Sequence, residues 1–215
     1  MRTCMLVFAA ALAAFSQQQA PRRPAPAKPF DAGWVSLFNG KDLTGWVKVG
    51  NEKWEVEDGV IRGQGITKDY GYLMTEKKYI DFEMAIKFLC VADGNSGIFV
   101  HTEFKPGTAD VSQGMQFEID RAFYHHTGGL YGDGRAWIAW PAPENEFVIK
   151  PTEWNEFLLR VVGNRYEARL NGVWVMDFTD PTPKSFDGHI ALQLHSGGQG
   201  DMKFKEIYLR DLSRR

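Results

Sequence analysis

The chain has 215 residues, with 25 Lys and Arg against 27 Asp and Glu and a net charge of −2. That length suits one domain with a sizeable core plus appendages and disfavours a second catalytic domain. The charge balance lacks the basic surplus that nucleic acid or an anionic membrane would attract, and 44% hydrophobic against 24% charged residues argues against a disordered chain. The 22 Gly, 7 Trp and 15 Phe suit a turn-rich, all-β protein better than a helical bundle.

In chain order, residues 1–16 read as an export signal. Arg2 is a short positive segment, Met5 to Phe15 an apolar run, and Ala14-Phe15-Ser16 a small-x-small cleavage site. The run is short for a membrane span, and Gln17, Gln18 and Gln19 end it. A periplasmic or extracellular protein with no span in its mature form is expected. Residues 17–30, rich in Pro, read as an extended tether, and residues 31–215 as one domain. Cleavage would remove Cys4 and leave Cys90 without a partner for a disulfide, and with no cation beside it Cys90 reads as apolar filler rather than a nucleophile.

Beyond Phe30 the pattern is strand after strand. Phe82, Met84, Ile86 and Phe88 alternate with Asp81, Glu83, Ala85 and Lys87, the period of two that puts one apolar row on a core. Tyr166, Ala168 and Leu170 repeat the pattern, and Asn171-Gly172 supplies the positive-φ pair of a tight hairpin turn before Val173. Further strands are expected at 54–56, 60–62, 98–103, 115–120, 156–162, 189–195 and 203–209. Short strands and Gly-rich turns imply a jelly-roll sandwich of two antiparallel sheets. Residues 121–151 resist this pattern, with Tyr124, Tyr131, Trp137 and Trp140 among Gly, Pro and His. Long loops in compact domains are usually functional, and aromatic rings make good walls for a sugar site, so this segment reads as a substrate-binding loop.

Alternation also predicts a polar face. With Ile98 and Val100, Met115, Phe117 and Ile119, and Ile190, Leu192 and Leu194 turned inward, the residues turned outward include His101, Glu103, Gln116, Glu118, Asp120, Gln193 and His195. If these strands are neighbours, groups that move protons or bind sugar hydroxyls converge. The Glu118-x-Asp120 strand lacks the further Glu of two-carboxylate retaining glucanases, since Phe123 stands in its place, so ordinary two-carboxylate glycoside hydrolysis is not expected. Short zinc-type histidine spacing is absent, although an oxygen-rich site with an imidazole would suit a divalent ion.

Several motifs in shared order resemble a known family. They are Val35-Ser36-Leu37-Phe38-Asn39-Gly40-Lys41-Asp42-Leu43-Thr44-Gly45-Trp46, Asn95-Ser96-Gly97, Gly114 to Asp120, Thr127-Gly128-x-Leu130-Tyr131, Trp154-Asn155, Leu170-Asn171-Gly172 and Leu192-Gln193-x-His195. From about Trp34 to Leu212 the chain resembles the 3-keto-disaccharide hydrolase family, also described as 3-keto-glucoside 1,2-lyase and 3-keto-2-hydroxy-glucal hydratase domains. In the central strand Gln116 and Glu118 stand in swapped order relative to the family pattern, and Asp120 comes earlier. The resemblance implies a concanavalin-like jelly roll that cleaves 3-keto-glycosides through C2 proton abstraction and elimination at C1. For that chemistry Glu118, Asp120, His195 and the loop histidine His126, or its neighbour His125 in its place, are the candidate catalytic residues, with Glu118, Asp120 and His195 holding a divalent ion or the ketone oxygen. Asn95, His101, Gln116, Tyr131, Trp137 and Gln193 would hold the sugar. No nucleotide cofactor is expected. The competing expectations are a non-catalytic carbohydrate-binding module and a protein-interaction domain.

Overall fold

A computed structural model describes residues 32–213 except 93 and 133. The export-signal and tether readings fall outside the described residues. In chain order the strands are β1 (Trp34–Ser36), β2 (Trp46–Val49), β3 (Lys53–Glu57), β4 (Val60–Thr67), β5 (Gly71–Tyr79), β6 (Phe82–Cys90), β7 (Asn95–Phe104), β8 (Val111–Asp120), β9 (Leu130–Gly132), β10 (Ala136–Ala139), β11 (Asn155–Val162), β12 (Arg165–Leu170), β13 (Val173–Thr179), β14 (Gly188–Leu194) and β15 (Gly198–Asp211). They form two antiparallel sheets. The first runs β13-β12-β11-β6-β15-β4-β3, with β1 on β15, and the second runs β10-β9-β8-β7-β14-β5-β2. This is the all-β jelly-roll sandwich that the alternation implies.

The core lies between the sheets. Phe82, Met84, Ile86 and Phe88 on β6 and Phe157, Leu159 and Val161 on β11 meet Ile98, Phe117, Ile119 and Leu192 in one buried cluster. Each such side chain, fully buried, contributes about 1.5–3 kcal/mol. Burial leaves the Cys90 thiol at a pKa of about 12, so it is inert filler. Asn171 and Gly172, at φ 50° and 85°, make the expected hairpin between β12 and β13.

The outer face of the first sheet is occupied by ion pairs. Arg160 bridges Glu83 and Glu167, Arg165 reaches Glu167 and Asp177, and Arg210 pairs with Glu83. Trp34, Trp154 and Trp174 lie under Arg210, Lys205 and Arg169 as cation–π partners. The Asn39 to Trp46 motif is a structural clasp. Asn39 Oδ1 accepts from the Lys41 and Asp42 N–H groups, Asp42 Oδ1 accepts from Thr44 N–H, and Trp46 Nε1 donates to the Leu37 carbonyl.

A close approach within the first sheet gives a direct test of the packing. A Cβ on Gly63 would lie 2.6 Å from the ring of Trp54, which is 1% exposed and cannot swing away. Gly63→Ala should lower stability by about 1–3 kcal/mol, read as a lower denaturant midpoint at unchanged slope. An unchanged midpoint would contradict this packing.

Candidate active site

The outer face of the second sheet differs from that of the first in both burial and chemistry. Strand register sets Trp137, Tyr131, Gln116, Phe99, Ala191 and Met74 side by side across β10, β9, β8, β7, β14 and β5. One step along the strands, Glu118 stands opposite Gly97, and Gln193 opposite Tyr72. Together these rows floor a cleft of about 610 Å³ whose rim includes Asn95, His195, Tyr70 and Lys105.

Glu118 is 3% exposed at the cleft floor. Asn95 Nδ2 donates to its Oε1 at 2.5 Å and Gln116 Nε2 to its Oε2 at 2.7 Å. Burial pushes its pKa well above the ordinary carboxylate range; the Asn95 hydrogen bond opposes that shift and the charge of Asp120 adds to it. Gly97 makes the arrangement possible, because a Cβ there would lie 2.5 Å from Gln116 Nε2. Ser96 ties the strands together, its hydroxyl donating to the Gln193 carbonyl at 2.7 Å. Two buried acceptors, Asn95 Oδ1 and Gln193 Oε1, have no protein partner. Such atoms are costly unless a ligand donates to them, and sugar hydroxyls are suitable donors.

His195 is half-buried at the rim. Its Nδ1–H donates to the Ser196 carbonyl at 2.8 Å, which leaves Nε2 as the acceptor nitrogen, 3.5 Å from the Tyr70 hydroxyl. Tyr131 and Trp137 form an aromatic wall, their ring centroids 5.7 Å apart. Lys105 is the one Lys or Arg among the described residues lining the cleft.

Thus Glu118, His195, Asn95, Gln116, Tyr131, Trp137 and Gln193 come together, and three other expected residues do not. The alternation argument fails at His101, where the β7–β8 ladder bulges and the residue adopts φ 51°. The ring turns inward against Phe82 and Tyr166, its Nε2 donates to the Ile80 carbonyl, and it is 1% exposed, so it cannot reach a sugar in the cleft. Asp120 ends β8 over an adjoining cavity of about 630 Å³ that shares Asn95 with the cleft; its Oδ1 accepts from Ala122 N–H, and its Oδ2 lies 3.1 Å from His125 Nδ1. His126 is anchored behind the aromatic wall rather than mobile. Its Nδ1 donates to buried Glu146 at 2.5 Å, and its ring stacks on Trp140 at 4.7 Å with its edge toward Trp137. The segment read as a binding loop contributes β9 and β10 to the sheet, and these strands carry Tyr131 and Trp137 to the cleft.

Both Glu118 oxygens accept amide hydrogens, Asp120 lines an adjoining cavity, and among the described residues no three His, Cys, Asp or Glu side chains converge. Tyr70, Lys105 and Glu146 are the notable residues that sequence reasoning missed. Each lies on a turn or connection whose path becomes visible only with the strand order.

Amides, a buried carboxylate and exposed aromatic rings in one cleft of a two-sheet jelly roll are groups suited to hold the hydroxyls and faces of a sugar ring. Residues 33–210 match the 3-keto-alpha-glucoside-1,2-lyase-like domain, and the chain belongs to that family. A 3-keto-disaccharide hydrolase of Bacteroides thetaiotaomicron is 35% identical over 82 residues, covering 33% of this chain and 28% of that protein. The match therefore spans little more than a quarter of that relative. A protein of Parabacteroides distasonis assigned as a glycosyl hydrolase has a similar structure, with a TM-score of 0.69 and 26% identity over 84% of this chain and 94% of that one. The carbohydrate-binding module CBM66 of Bacillus subtilis shares the fold, with a TM-score of 0.59 and 15% identity over 78% of this chain and 96% of that one.

The Asn95 contact can be tested by titration. Asn95→Leu removes the hydrogen bond that favours the ionised form while keeping the site dry, so Glu118 should titrate at higher pH than in the parent protein. Carbon-13 NMR of the carboxyl group would read the shift, and a midpoint that stayed or fell would contradict the assignment.

Proposed function

We propose that this chain cleaves 3-keto-glycosides by removing the C2 proton and expelling the glycosidic oxygen from C1. A ketone at C3 acidifies the C2 proton. As the base takes it, the C–H electron pair forms an enolate. The enolate collapses, the C1–O bond breaks with its electron pair on oxygen, and that oxygen takes up a proton to leave as an alcohol. Water adding across the resulting C1–C2 double bond completes a net hydrolysis. No nucleophile on the protein is needed.

The observation that carries this reading is Glu118, a buried carboxylate with a raised pKa aimed by two amides beside two unpartnered carbonyl oxygens. It is the base for C2. We assign delivery of a proton to the departing oxygen to Tyr70 and His195, which share the cleft rim with the Tyr70 hydroxyl 3.5 Å from His195 Nε2. Asn95 and Gln193 accept sugar hydroxyls, Tyr131 and Trp137 stack on the ring, and Lys105 offsets enolate charge. Family membership supports the substrate class. We place the reaction outside the cytoplasm, on the strength of the Met5 to Phe15 run and the cleavage pattern that follows it. A carbohydrate-binding module would share the fold and predicts sugar binding without turnover.

Incubation with 3-keto and unoxidised p-nitrophenyl glucosides separates these readings. Nitrophenol should appear from the 3-keto form alone, and sugar binding without release would favour the module. Because the base must be ionised, activity should rise with pH, with its acid limb above the 4.5 of an ordinary glutamate. Glu118→Gln should reduce turnover by about 10²–10⁴-fold. It should not lower the thermal midpoint at pH 7. A carboxyl whose pKa is raised on folding binds its proton more tightly when folded, so stability falls as pH climbs above the unfolded value, and a neutral amide is spared that loss. Retained turnover in Glu118→Gln would overturn the assignment.

A further inference from the structure

We infer that Asp120 and His125 form a second proton-transfer pair that activates the water added to C1, so that removal of the C2 proton and hydration of the resulting enone fall to different groups. This rests on the elimination reading above, which supplies the enone. Asp120 and Glu118 share the outward face of β8, two residues and roughly 6–7 Å apart along the strand. The charge of Asp120 is felt at Glu118, and Asn95 lines both the Glu118 cleft and the cavity of about 630 Å³ beside Asp120. The pair therefore stands next to the ring carbons that Glu118 serves.

The turn after β8 brings His125 to this place. Thr127 Oγ1 accepts from Asp120 N–H at 2.9 Å and donates to the Asp120 carbonyl at 2.7 Å, which pins the turn closed. Tyr124 and His126, on either side of His125, adopt φ 62° and 64°, in the left-handed region that bulky side chains rarely enter. Such strain persists where the surroundings enforce it, and it clusters at active sites. The two adjacent histidines are used differently. His126 is locked to Glu146, whereas His125 lines the cavity with its Nδ1 3.1 Å from Asp120 Oδ2 and its side chain 60% exposed. With Nδ1–H donating to the carboxylate, Nε2 keeps the lone pair that can take a proton.

Hydration needs a base that meets water, and Glu118, 3% exposed, is shielded from it. Among the described residues lining the adjoining cavity, Asn95 and Arg121 cannot accept a proton and Asp120 already holds the imidazole, so His125 is the base open to a water there. As Nε2 takes one proton from the water, the oxygen bonds to C1. The C1–C2 π pair shifts toward C3, whose oxygen becomes an enolate, and a solvent-derived proton reaching C2 through Glu118 restores the ketone. His125 returns its own proton to solvent, so one water is added and both groups are reset.

The enone fed directly isolates this step, with its conjugated ultraviolet absorbance as the readout and an enzyme-free sample as the control. The parent chain should hydrate it, and His125→Ala and His125→Gln should each slow hydration by about 10²-fold or more. From a 3-keto-glucoside, both variants should release the alcohol and accumulate the enone where the parent yields 3-keto-glucose. The exposure of His125 keeps either change from threatening the fold. Hydration at the parent rate, loss of alcohol release together with hydration, or a parent chain that leaves the enone at the control rate would each overturn the inference. If the parent releases no alcohol from the 3-keto-glucoside, the elimination reading fails, and the enone fed directly still decides the role of His125.

Discussion

The placement of one carboxylate in a dry sheet face governs the rest of this site. Glu118 is inaccessible to bulk water, yet both of its oxygens are held by amide donors. Burial keeps it reluctant to ionise, and the hydrogen bonds fix its direction. That combination requires a strand neighbour with no side chain, which Gly97 provides, and a rigid β7–β14 seam, which Ser96 provides. On the proposed reading the sheet thus supplies an aimed base for elimination next to a ketone, with the charge of Asp120 adding to the rise in its pKa.

The two outer faces show how one sandwich separates stability from chemistry. On the first sheet, charges are mutually paired and three Trp rings lie under cations, so that surface is already occupied. On the second sheet, two amide oxygens are left unpartnered and the aromatic wall remains open. Buried polar atoms left in this way destabilise a fold unless a ligand completes them, and proteins tend to keep such defects at functional sites. The His126–Glu146 hydrogen bond behind Trp137 extends the same logic, since a half-buried imidazole held by a buried carboxylate stiffens the wall against which a sugar ring would rest.

The β architecture was legible because alternation and turn chemistry are local. The β6 row and the Asn171-Gly172 hairpin depend only on neighbouring residues. The convergence of Gln116, Glu118 and Gln193 was legible for the same reason, given adjacent strands. His101 was misread because a bulge inverts the alternation, and nothing in its immediate sequence announces a positive φ. Strand β5 begins apolar and then runs Glu76-Lys77-Lys78-Tyr79, so it shows no period of two despite its place between β14 and β2. Tyr70 precedes β5 and Lys105 follows β7, so both reach the cleft through connections, and such meetings are set by topology rather than by spacing. The family motifs likewise divide once the fold is known. The Asn39 to Trp46 run clasps a turn, Asn155 knots Lys150 to Asn171, and Asn95-Ser96-Gly97 builds the site.

The central claim is that the C2–H bond breaks during cleavage, which distinguishes elimination from direct displacement at C1. Cleavage of a 3-keto-glucoside in deuterium oxide, followed by NMR of the released 3-keto-glucose against an enzyme-free control, tests it most directly. Elimination and readdition of water put deuterium at C2 in every turnover. A product that kept its C2 proton at the level of the control would contradict the account.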